Sequence, residues 1–309
     1  MKPRILLIGS SGQVGHELAG MLMLPRVGEV VVPDRAAFDL SRPSDVARII
    51  HDAQPRIIVN AAAYTAVDLA EKEPEKARAI NTDAPAAMAA AAAELNALLV
   101  HYSTDYVFDG SKESPYAEDD STNPLNVYGQ TKLDGEIAIR ESGCRHLILR
   151  TAWVYATRGK NFLLTILRLA SQREELRIVS DQFGAPTWAR EIARATSSML
   201  ERHAASAAGD TPPTGTFHVT AGGTTNWHAF ANAIVEEAAK LPDTNPWLSA
   251  ALSAGSIVTK RITPITTGDY PTPARRPAYS VLSNERLTQS YRLQLPEWRD
   301  QLKTALASV

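Results

Sequence analysis

Cysteine is almost absent: Cys144 stands alone in 309 residues, so no disulfide can form within the chain. That fits a reducing compartment. Cys144 lies in SGCRHLILR, ahead of an apolar run and with nothing nearby to activate it. It reads as a buried filler, not a nucleophile. Long apolar runs are missing too. The Ala-rich stretch 84–100 is interrupted by Pro85, Glu94 and Asn96, whereas a bilayer span needs about 20 apolar residues. After Lys2 and Arg4 the N-terminus offers only the apolar run Ile5–Ile8, and a secretory leader needs about seven such residues. A cytoplasmic protein with no membrane partner is expected. There is no excess of positive charge: the net charge is −2, and the Arg275-Arg276 pair is too small to form a patch. Nucleic acid is therefore not an expected partner. None of the seven histidines shows HxxxH spacing, so a catalytic metal is not expected.

What is present is a rhythm. Short, β-branched apolar runs occur at 4–9, 29–33, 56–60, 97–103 and 146–151. They lack alternation, as strands buried on both faces do. Helical segments at about 13–23, 43–53, 74–95 and 128–141 separate them. The alternation predicts an α/β fold of the Rossmann type, with a doubly wound parallel sheet. Beyond residue 152 the loops lengthen and fill with Pro and Gly. A discontinuous C-terminal lobe is expected there. The division expected is 1–153 for a nucleotide-binding domain, with 188–223 returning to it through a late strand in GTFHVTAGG, and 154–187 with 224–309 for a substrate lobe.

Directly after the first run, GSSGQVG spaces Gly9, Gly12 and Gly15 as GxxGxxG ahead of a helix. Such glycines allow a tight turn, close approach of a pyrophosphate and close helix–strand packing, and the helix start offers free N–H groups. Asp34 follows the second run, 19 positions past Gly15, where a carboxylate would grip a ribose hydroxyl. Its neighbour Arg35 could pair with a 2′-phosphate. Asp34 argues for NADH and Arg35 for NADPH; NADPH is favoured, with binding of both expected.

In YGQTK, Tyr128 and Lys132 stand four apart, on one face of a helix. An ammonium beside a phenol favours the phenolate, so the pKa of Tyr128 is expected to fall. Thr104 sits where the fourth run ends, the place at which open α/β sheets bind ligands. A hydroxyl, a phenol and a hydride donor together suit ketone reduction.

These motifs, with NAAA at 60–63 and STDYVF at 103–108, resemble the extended short-chain dehydrogenase/reductases. The segments IVNAAAYTAVDLAE, PLNVYGQTK, RTAWVYA, DQFGAPT, AGGTTNWH and YPTPARRP narrow this to a resemblance to the dTDP-4-dehydrorhamnose reductase family, along nearly the whole chain. The resemblance implies reduction of a dTDP-4-keto sugar by NADPH or NADH, in the supply of rhamnose for cell-surface polysaccharide. It implies that Tyr128 donates the proton, Thr104 partners the carbonyl and Lys132 holds ribose. Gly12, Gln13 and Val14 would line the phosphates. Asp34, Asp39 and Leu40 would hold the adenosine end, and Ala63, Tyr64, Thr65 and Tyr102 the nicotinamide half. Asp105 and Trp153 would contact the sugar, and Arg276 a phosphate. Plainer readings stay open: Asp39 and Asp105 as turn caps, Tyr102 and Trp153 as core aromatics, Arg276 as a loop cation.

The resemblance also extends to Mg²⁺-dependent homodimers, with Glu17 and Glu191 at two of the acidic positions. Arg299 stands where the next carboxylate would be, and a cation there repels Mg²⁺. Two competing readings remain. A dehydratase or epimerase on this scaffold is one, although a dehydratase commonly places an Asp-Glu pair after the threonine and here Asp105-Tyr106 follows. A non-catalytic, cofactor-binding regulatory subunit is the other; intact Thr104, Tyr128 and Lys132 argue against it.

Overall fold

The computed structural model describes residues 2–22, 27–33, 38–205, 212–242, 244–253 and 255–309. Its centre is a six-stranded parallel sheet. The first five strands in chain order are β1 (Arg4–Ile8), β2 (Glu29–Val31), β3 (Ile57–Asn60), β4 (Leu98–Thr104) and β5 (Arg145–Thr151). Across the sheet the order is Gly215–His218, β5, β4, β3, β1, β2. The expected α/β class is therefore the observed one, and the late strand in GTFHVTAGG pairs with β5.

Period-two packing explains why these runs show no polar alternation. Ile5, Leu7, Ile57, Val59, Leu98 and Val100 enter one core. Their neighbours Leu6, Ile8, Ile58 and Leu99 enter another on the opposite face, which also takes Cys144. Successive side chains point to opposite faces, and both faces are dry. The helix α1 (Gln13–Leu22) shares the first face with the helix Ala189–Ala205, and α2 (Pro43–Ala53) covers the second. A third core gathers Tyr155, Leu163, Trp188, Phe230 and Leu302. Among the described residues no helix is long and apolar enough to cross a membrane.

The stretch expected as one helix over 74–95 is helical but divided. Pro74–Arg78 runs into a π-helical turn, Ala79–Asp83, and then Ala84–Glu94. Pro85 has no N–H to give the carbonyl of Asn81 four residues back, so the ladder widens there. The helix expected over 128–141 spans Val127–Glu141 and is capped by Asn126, whose side chain accepts from the Gly129 N–H at 2.8 Å.

β1 is flanked by β2 on one side and β3 on the other, so the chain order reverses there. Ligands bind at this switch point, beyond the carboxyl ends of the strands. Gly9 and Thr104 lie at those ends.

Candidate active site

Three elements converge on Thr104 and Tyr128. β4 ends in Thr104, a short turn over Asp105–Val107 follows, and the helix Val127–Glu141 starts against that turn. Gly129 permits the approach, because a Cβ at this position would lie 2.3 Å from the Tyr106 carbonyl oxygen. The Tyr128 ring meets Tyr106 edge to face, with centroids 5.7 Å apart.

Thr104 is held from several sides. Its hydroxyl donates to Asp105 Oδ1 at 3.0 Å and accepts from the Tyr106 N–H at 3.1 Å. It also lies near enough to the Tyr128 phenol to act on its proton. Burial raises Tyr128 to about 12; the Thr104 hydroxyl opposes this and the charge of Asp105 adds to it. Burial likewise lifts Asp105 to about 6, against the bond it accepts from Thr104.

The expected fall in the tyrosine pKa is thus reversed, for a geometric reason. The Lys132 amine turns toward the sheet, giving a hydrogen bond to the Tyr102 carbonyl at 2.6 Å and lying 3.0 Å from His101 Nε2. Burial brings Lys132 itself down to about 8, with Glu136 opposing. A neutral phenol is a loaded proton donor, which is the form a reductase needs.

At β1 the loop Gly9–Gly12 turns on a Gly12 N–H to Gly9 O bond of 3.0 Å. Gly9 has φ +83°, and a Cβ on Gly15 would lie 2.0 Å from Gly9 O, so neither position tolerates a side chain without movement.

The whole chain, residues 1–309, matches the family described as RmlD substrate binding domain. A dTDP-4-dehydrorhamnose reductase of Burkholderia thailandensis is 50% identical over 296 residues, covering 96% of this chain and 95% of that one. One from Escherichia coli K12 is 45% identical over 308 residues, covering 98% and 96%. The dTDP-4-dehydrorhamnose reductase of Bacillus anthracis, solved in complex with NADP, superposes with a TM-score of 0.87 at 30% identity and full coverage of both chains.

The chain belongs to the dTDP-4-dehydrorhamnose reductase family.

The expected reacting pair, Thr104 and Tyr128, is brought together; several other expected residues are engaged elsewhere. The Tyr102 hydroxyl bonds Thr196 Oγ1 at 2.7 Å and its ring packs on the first core, so only its carbonyl reaches Lys132. Asp39 accepts from the Ser41 N–H and hydroxyl at 2.9 and 2.7 Å and so holds the turn before α2. Leu40 packs on the second core and Val14 on the first. The Tyr64 ring is buried and its hydroxyl donates to Glu73, while Thr65 is exposed and Ala63 half-buried. The Gln13 side chain links the phosphate loop to the later segment, accepting from Asn161 Nδ2 at 2.8 Å. Trp153 stacks flat on Trp227, with centroids 3.5 Å apart and planes 6° apart. Arg276 does not stand free for a phosphate: its guanidinium makes a two-pronged bond to Asp68, at 3.0 and 2.8 Å. Asp34 and Arg35 lie outside the described residues.

Glu17 is paired with Arg190 at 2.9 Å and Glu191 with Arg194 at 3.1 Å. Among the described residues no group of three or more His, Cys, Asp or Glu side chains could hold a metal ion.

Sequence reading missed the residues that hold this site in place. Asn81, in the π turn, accepts from the Tyr64 N–H at 2.9 Å and donates to Thr131 of the Tyr128 helix at 3.2 Å. Glu136 takes two bonds from Arg150, at 2.9 and 2.7 Å, with both side chains buried. His101 sits under Lys132. The available signal was polarity in the wrong place. His101 interrupts LLVHYST and Arg150 interrupts HLILRT, and a polar group inside a strand buried on both faces needs a buried partner.

Proposed function

We propose that this chain reduces the 4-keto group of dTDP-4-dehydro-6-deoxy-L-mannose, giving dTDP-L-rhamnose, with NADPH or NADH as reductant. The observation that carries the reading is the meeting of Thr104, at the end of β4, with the Tyr128 phenol, at the carboxyl edge of the sheet that the glycine loop also borders. Family membership supplies the substrate.

The loop fits a dinucleotide. Gly9 and Gly15 leave a backbone cradle that a Cβ would fill, at the N-terminal end of α1. Gly9, Gly12, Gln13, Val14 and Gly15 would hold its diphosphate, Asp34, Arg35, Asp39 and Leu40 its adenosine end, and Ala63, Tyr64, Thr65, Tyr102, Tyr128 and Lys132 its nicotinamide half. The reduced nicotinamide supplies a hydride to the ketone carbon. Tyr128 gives its proton to the developing alkoxide oxygen. Thr104 donates a hydrogen bond to that same oxygen, as fixed donors do where charge develops. Asp105 and Trp153 border the sugar, and the Lys132 ammonium offsets the negative charge left on the Tyr128 phenolate. Arg276 orders the wall of the cleft through Asp68. We read 1–153 with 188–223 as the cofactor domain and 154–187 with 224–309 as the substrate lobe; a homodimer is to be tested by light scattering.

Loss of reduced-nicotinamide absorbance on adding the 4-keto nucleotide sugar, with the product identified by NMR, tests the reading. NADPH binding without oxidation would support the regulatory-subunit alternative instead. Gly15→Ala should weaken NADPH binding by about tenfold or more, since overpacking against a backbone oxygen costs ~1–3 kcal/mol. Fluorescence titration measures this, and thermal unfolding separates it from collapse of the fold. Arg35→Ala should weaken NADPH more than NADH, because only NADPH carries the 2′-phosphate. Equal losses in paired titrations would show that Arg35 does not meet it.

A further inference from the structure

The hydrogen bonds below Lys132 fix where protons can sit. The Ala62 N–H donates to Asn60 Oδ1 at 3.1 Å, which sets the orientation of that amide. Asn60 Nδ2 must then face His101 Nδ1, 3.0 Å away, as a donor. His101 Nδ1 is therefore an acceptor and carries no proton. A neutral imidazole has one N–H, so it lies on Nε2, which points at Lys132 Nζ from 3.0 Å. An ammonium has three donors and no lone pair, and two donors cannot bond each other. A neutral amine can accept from Nε2–H while still donating to the Tyr102 carbonyl.

We propose that His101 is a positioning residue that favours the uncharged amine of Lys132 in the cofactor-free protein, so that binding a nicotinamide nucleotide takes up a proton at Lys132. The contact with His101 and the ammonium form exclude one another. Ribose hydroxyl oxygens would offer the ammonium the acceptors it lacks, and the side chain leaves His101 as it gains its charge. The inference rests on the reading above, that the nucleotide lies beside Lys132.

The surroundings agree. Burial alone works to hold His101 below its usual value, so the ring stays neutral. Lys132, at about 8, changes charge within reach of working pH. The charged group facing it on its own helix is Glu136, which is bound by Arg150 from β5 and by Arg140. From the π turn, Asn81 and Thr82 present only uncharged groups, to Thr131. Tyr128 is one turn away, and Asp105 acts on that phenol.

Calorimetric titration with NADPH in buffers of different ionisation heat reads proton uptake directly. The wild type should take up a proton, with the stoichiometry approaching about one above pH 8. Its Kd should rise nearly tenfold per pH unit there, as linkage to one proton requires. In His101→Gln a carbonyl oxygen replaces Nε2–H and accepts from an ammonium, so uptake should largely vanish and the Kd should flatten with pH. Nitrogen-15 NMR of the free wild type should show the Nε2–H tautomer. Failure of NADPH to bind overturns the functional reading. Binding without proton uptake, equal uptake in both proteins, or an Nδ1–H tautomer overturns this inference alone.

Discussion

Tyr128→Phe should lower turnover by about 10²-fold or more while leaving NADPH binding nearly intact, the usual scale for losing a general acid. The phenyl ring keeps its edge-to-face contact with Tyr106. Thr104 keeps its bonds to Asp105 and to the Tyr106 N–H. Only the hydroxyl that carries the proton is lost. A hundredfold fall is about 2.7 kcal/mol of barrier. Single-turnover measurement at saturating cofactor isolates that step, and near-normal turnover would remove Tyr128 from the chemistry.

The wild-type pH profile carries a second expectation. Burial holds Tyr128 at about 12, so the free protein keeps its acid loaded across the ordinary assay range. Any alkaline limb near pH 8 in kcat/KM then belongs to Lys132, whose buried amine loses its charge there. The limb should survive in Tyr128→Phe, though at the reduced rate.

Much of this arrangement is legible in the sequence, and the reasons are local. The strands are readable because residues such as Ile5, Leu6, Leu7 and Ile8 are all apolar, one pair for each core. The helix around Tyr128 is readable from the i, i+4 spacing of Tyr128 and Lys132. The direction of the Lys132 amine is not. It is set by His101 and the Tyr102 carbonyl, on a strand about thirty residues earlier. The π turn escaped notice for a similar reason. Pro85 marks it, but the bonds from Asn81 to Tyr64 and Thr131 are long-range. Arg276 looked free for an anion because its partner, Asp68, lies 208 positions away.

Glu136→Gln should destabilise the protein by about 3–5 kcal/mol, the usual cost of removing one partner from a buried ion pair. Arg150 is buried and gives both prongs of its guanidinium to this carboxylate. The amide keeps the shape but leaves the cation without a counter-charge. The pH dependence follows from the carboxyl's shift. Burial works to raise it, but the Arg150 bonds, helped by Arg140, outweigh burial and the net shift is downward. A depressed carboxyl stabilises fully above its unfolded value of about 4.3, and that stability is lost as pH falls through the lower folded value. The gap between wild type and Glu136→Gln in urea unfolding should therefore be constant at neutral pH and shrink as the buffer becomes acid. A gap that stays fixed into strong acid would mean that shape, not charge, holds Arg150. Loss of Glu136 also withdraws the charge that supports the Lys132 ammonium. The alkaline limb of kcat/KM should then move to lower pH in the variant, in the same direction as further burial would move it.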